Sequence, residues 1–123
     1  MVAVKQELDF ELCKTSLLKL EELWDSRTPT SPGEFLFEGH TGENISYNVY
    51  KLSLANLIRT RGTEKRYGRN LSMCPTGFTE TGWKFLEAAK DVVRWERAVE
   101  TIMAQDEPES VRLLTAELFR NLA

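Results

Sequence analysis

Phe85, Ala88, Val92, Trp95, Val99 and Ile102 recur at alternating steps of three and four residues. No other pattern in the chain restricts the fold as much. A strand would send side chains at that spacing to both faces, whereas a helix gathers them on one. The spacing predicts one long helix, capped by Thr79 and running to about Ala104, and it is the spacing of a helix-to-helix seam. Leu86, Ala89 and Val93 add a second apolar strip to the same helix. One strip is expected to face the domain and the other a partner. Phe85, Val92, Trp95, Val99 and Ile102 are therefore the candidate oligomer interface, of a homodimer or of a complex with another protein.

The rest of the chain reads as mainly α with a small β-hairpin. Phe10, Cys13, Leu17, Leu20 and Trp24 share one helical face, which predicts a first helix over Asp9–Trp24 with Asp9 as its cap. An alternation through Val2, Val4, Leu8, Phe10 and Leu12 leaves a strand as the rival for the first ten residues. Ser26–Gly33 holds two prolines and a glycine and reads as a loop. Glu34–Glu38 reads as a short strand. A second helix is expected over Ser46–Thr60, capped by Asn44 or Ser46 and stopped by Gly62, with a strand as the rival at its β-branched, aromatic start. Thr63–Met73 reads as two short strands joined at Gly68, the basic side chains near the tip. A last helix spans Pro108–Leu122 and folds back on the long one as a helical hairpin. In domain terms, residues 1–86 form the core, and residues 87–123 form terminal helices that could serve as a dimer arm, all within one compact domain.

With 41% hydrophobic and 28% charged residues in 123, the chain can bury a real core, which argues against wholesale disorder. Its apolar runs are too short to span a bilayer. The polar start, Met1–Glu7, does not read as a signal peptide, so the expected location is cytoplasmic. Cys13 and Cys74 lie far apart and form no metal-binding array; they read as two thiols, Cys13 within the core. His40, flanked by Gly39 and Thr41, reads as a surface-turn residue. No phosphate loop, nucleophile elbow or zinc-protease motif is present, and the sequence assigns no catalytic residue, metal ligand or cofactor.

The charge is unevenly spread. Residues 1–50 carry a net −5 and residues 71–123 a net −3, while residues 51–70 carry a net +5 from Lys51, Arg59, Arg61, Lys65, Arg66 and Arg69 against Glu64 alone. Salt screens beyond roughly 10 Å, so a concentrated positive stretch attracts phosphates even on an acidic chain. A solvated helix end followed by a charged turn would carry the same residues.

The segment Phe78-Thr79-Glu80-Thr81-Gly82-Trp83-Lys84-Phe85-Leu86 resembles the passage from the second wing strand into the following helix of winged helix-turn-helix domains. Its local physics is plain: Thr79 caps, Phe78 packs back as a staple, and Gly82 permits close approach to the wing. The element order, from Asp9 to Leu86, is similar to that superfamily as well. The resemblance implies a small regulator that binds duplex DNA. It implies that the helix at Ser46–Thr60 lies in the major groove with Asn48, Lys51, Ser53 and Asn56 toward the bases. Arg59, Arg61, Lys65, Arg66 and Arg69 would hold phosphates at the helix end and wing. It also requires two helices between Glu38 and Gly62, the first very short, from Gly42 to Ser46. The rival reading is an acidic protein-interaction module, an adaptor, inhibitor or assembly subunit, with Trp83 or Trp95 as anchors.

Overall fold

Four helices begin at a side chain that accepts an amide of the first turn. Asp9 accepts from Leu12, Thr41 from Asn44, Thr79 from Gly82 and Asp91 from Arg94, at 3.0–3.2 Å. Each such cap stabilises a helix by about 1 kcal/mol, because the first amides have no partner within the helix. In the computed structural model, which describes residues 8–61, 74–104 and 111–120, these caps open α1 (Phe10–Asp25), α2 (Gly42–Leu54), α3 (Glu80–Ala89) and α4 (Val92–Met103). A fifth helix, α5 (Val111–Arg120), follows, and β1 (Ile58–Arg61) pairs antiparallel with β2 (Cys74–Phe78). The fold is α+β, mainly helical with a small two-stranded sheet among the described residues.

The first helix lies within one residue of its expected span. The second does not. It starts at Gly42 rather than Ser46, and it ends at Leu54 because the chain turns there. Asn56 adopts a left-handed backbone (φ 61°), its amide bonds the Ser53 carbonyl, and the Leu57 amide bonds the Leu52 carbonyl. This closing motif satisfies the last carbonyls and turns the chain outward, so Ile58–Arg61 becomes strand instead of helix. A single helix therefore occupies the region where two were required. The expected strand at Glu34–Glu38 is instead a 3-10 turn, Pro32–Phe35; no described strand lies beside it to pair with, and burial of Phe35 anchors the turn. The described strands, Ile58–Arg61 and Cys74–Phe78, flank the expected hairpin strands at Thr63–Met73, which lie outside the described residues. Gly68 and the expected tip lie outside the described residues, as does Pro108.

The long helix is two helices. The Lys90 amide bonds the Leu86 carbonyl and the Asp91 amide bonds that of Ala88, which closes α3; Asp91 then caps α4. Arg94, near the start of α4, donates to the Leu118 carbonyl near the end of α5 at 3.2 Å, so the two helices pack antiparallel. One continuous core runs from Phe10 through Leu52, Phe85 and Trp95 to Leu118. Residues of α4 and α5 are thus part of the same core as α1 and α2. Lys90 also bonds Glu21 of α1 at 2.6 Å, and that bond pushes the lysine pKa up.

Candidate nucleic-acid interface

The sheet is entered through a tightly built junction. A Cβ placed on Gly82 would lie 1.8 Å from the Leu57 carbonyl oxygen, so only glycine lets α3 seat against the chain entering β1. Thr79 reinforces the contact: its amide bonds the Leu57 carbonyl at 3.1 Å, and its hydroxyl donates to the Asn56 carbonyl at 2.6 Å. Phe78, just before the cap, stacks on Trp83 with ring centroids 4.1 Å apart, in the positions of a hydrophobic staple. The sequence reading of this segment matches the geometry in cap, staple and close approach.

Beyond the junction, β1 alternates. Ile58 is buried and Thr60 half-buried, while Arg59 and Arg61 are exposed. Arg59 lies opposite Gly77 and Arg61 opposite Cys74, with a bulge that makes Thr76 an extra residue on β2. Arg61 donates to the Thr30 carbonyl at 3.3 Å. Lys51, in the last turn of α2, lies over the Tyr47 ring, 5.4 Å from its centroid. Among the described residues no carboxylate lies within ion-pair distance of Lys51, Arg59 or Arg61. Lys65, Arg66 and Arg69 lie outside the described residues.

One of the base-reading assignments is corrected by burial. Asn48 is fully buried; its Oδ1 accepts from the Asp9 amide at 2.7 Å and from the Cys13 thiol at 3.5 Å, and its Nδ2 donates to the Asn44 carbonyl at 2.8 Å. It joins α2 to the start of α1 and cannot reach a base. Asn56 is exposed, but its left-handed backbone is what ends α2. Ser53 turns its hydroxyl back to the Tyr50 carbonyl at 2.7 Å. Arg59 and Arg61, expected at a helix end, stand on a strand. The structure therefore brings Arg59 and Arg61 together on one strand face, and leaves Lys51 on a separate element.

The predicted oligomer seam is likewise divided. Phe85, Trp95 and Ile102 are sealed inside the chain, the rings of Phe85 and Trp95 meeting edge-on at 6.1 Å. The Trp95 indole N–H donates to Glu11 at 2.5 Å and Lys14 lies over its ring. These three cannot form a shared seam, because the break at Lys90–Asp91 turns that stripe into the core. Val99 is half-buried against the core, and Val92 is 59% exposed. The sequence missed that Trp24 leaves the core face of α1, where it is 61% exposed.

Cys13 and Cys74 are buried, and burial pushes both thiols up; for Cys74 this outweighs the lowering by a Thr30 hydrogen bond and the Arg61 charge. Neither thiol is poised as a nucleophile at neutral pH. His40 is exposed in a turn, its amide bonded to the Phe37 carbonyl. Among the described residues no group of three His, Cys, Asp or Glu could hold a metal ion, and no helix is long and apolar enough to cross a membrane.

Residues 7–107 match the model of a protein family described as hypothetical protein DUF2513. The chain belongs to the DUF2513 family. The matched span takes in α1 through α4, with the junction at Gly82 and both arginines of β1, and stops before α5. No curated protein and no solved structure matches the chain.

Proposed function

We propose that this DUF2513 protein is a small winged-helix-like regulator that binds duplex DNA mainly through its phosphates. The observation that carries the reading is the outer face of β1. Arg59 and Arg61 are exposed there, and no described carboxylate is within ion-pair distance of either. Exposed guanidinium groups with no carboxylate partner are suited to phosphate oxygens, and the Arg61 bond to the Thr30 carbonyl leaves its charge uncompensated. In this reading α2 is the groove helix and the sheet is the base of a wing, although a single helix stands between Glu38 and the sheet where that superfamily has two.

Direct base readout by α2 is reduced to Lys51, since Asn48 is buried, the Ser53 hydroxyl is turned to the Tyr50 carbonyl and Asn56 lies beyond the helix end. The expected behaviour is sequence-tolerant binding with a strong salt dependence. Anisotropy of a labelled mixed-sequence duplex, measured at about 50 and 200 mM salt, should show affinity falling about tenfold or more. A flat response would remove phosphate contacts from the account. A protein-interaction role has one observation of its own, the exposure of Val92, Val93 and Met103 on α4. If that face pairs two copies, light scattering will give twice the chain mass.

A further inference from the structure

A cleft of about 450 Å³ opens between the C-terminal end of α1, the loop after it, and β2. We propose that this cleft is a binding site for a small planar aromatic carboxylate. The cleft shares Arg61 with the proposed duplex surface, and its test at Trp24 and Arg27 does not depend on that surface.

The volume falls in the range of small-molecule sites, and the lining has their usual character, an apolar body with a few polar groups. Leu20 and Leu23 form the apolar part, and the hydroxyl-bearing Thr30 and Thr76 line it as well. Trp24 provides a stacking surface. It is 61% exposed, yet its ring is held, meeting Trp83 edge-on at 6.2 Å while Trp83 itself stacks on Phe78. A large aromatic ring fixed and left open to solvent loses little freedom when a flat ligand covers it.

The charge of the ligand follows from Arg27. This residue lines the cleft and adopts a left-handed backbone with φ 56°. Glycine would take that conformation without steric cost, and arginine does not. That conformation closes α1 as Asn56 closes α2, and it sets Arg27 at the cleft beside the exposed Trp24 ring. Arg61 adds a second cation against the cleft wall, through its bond to the Thr30 carbonyl at 3.3 Å. Among the described residues the lining contains no carboxylate. The C-terminal carbonyls of a helix would ordinarily repel an anion. Here those of Glu22, Leu23 and Trp24 are taken by the amides of Ser26, Thr28 and Arg27. A carboxylate on a flat ring can then meet Arg27 while the ring covers Trp24.

The test uses 2-naphthoate, with its neutral amide as control, titrated into the full chain and followed by the indole N–H resonances, with Trp24→Ala assigning that of Trp24. Arg27→Gly removes the guanidinium while suiting the backbone, so the fold is kept. The expected result is a saturable shift at Trp24, about tenfold weaker for Arg27→Gly and for the amide; in Trp24→Ala, read at the neighbouring Trp83 indole, saturable binding is lost. The proposal is overturned by no saturable shift at Trp24, by equal affinity in Arg27→Gly, or by undiminished binding in Trp24→Ala.

Discussion

The junction of α2, β1 and α3 and the outer face of β1 are only a few residues apart, yet they treat polar groups in opposite ways. At the junction, the polar groups bond inward. Thr79 bonds Asn56, Leu57 and Gly82, and a side chain on Gly82 would meet a carbonyl, while Asn48 in mid-α2 bonds Asp9, Cys13 and Asn44 inside the fold. On the outer face of β1, Arg59 and Arg61 are exposed, and neither meets a described carboxylate. The lesson concerns which polar residues are available to a partner. Asn48 on α2 has the chemistry to read bases, but the fold buries it to join α2 to the start of α1.

Substitutions can break that contrast. The largest effect is expected at Gly82. Gly82→Ala places a methyl group into the Leu57 carbonyl, and backbone cannot move aside as a flexible side chain would. Alanine's better helix propensity returns only about 1 kcal/mol. A net loss of about 3 kcal/mol is expected in urea denaturation; unchanged stability would show that the junction is loose. Asn48→Ala comes next, with a loss of about 2 kcal/mol, because the Asp9 amide and the Asn44 carbonyl lose their side-chain partner. Were Asn48 a base reader, stability would be unchanged and duplex affinity would fall.

Asn56→Gly sharpens the comparison with a smaller effect. Glycine accepts the left-handed backbone at least as well, so melting temperature and duplex affinity should both stay near wild type. A loss of affinity without loss of stability would return Asn56 to the interface. The smallest effect is at Ser16, whose buried hydroxyl has no hydrogen-bond partner among the described residues. Ser16→Ala should stabilise the chain by about 1 kcal/mol in the same denaturation assay.

What was legible in the sequence was local. Asp9 and Thr79 act as caps, Phe78 as a staple and Gly82 as a close-approach residue, because each depends on neighbours a few positions away. The mainly helical α+β class was legible for the same reason. What was not legible depended on phase and context. The three-and-four spacing from Phe85 to Ile102 runs on across the break, so periodicity alone could not show that α3 ends at Ala89. The signal was Asp91, a cap residue standing before Val92 and Val93. The face of α2 was misread because helix-facing is fixed by what packs on it. Asn48 reads as a surface residue until the Asp9 amide is placed beside it. Trp24 shared the apolar stripe of α1 but lies in its last turn, past the edge of the core.

The most direct test of the account is the double variant Arg59→Gln, Arg61→Gln, assayed for duplex affinity across a salt series and for melting temperature together. The account predicts an unchanged melting temperature and a log–log salt slope reduced by about two, one unit for each lost phosphate contact. An unchanged slope, or a fall in melting temperature that accounts for the lost binding, would contradict it.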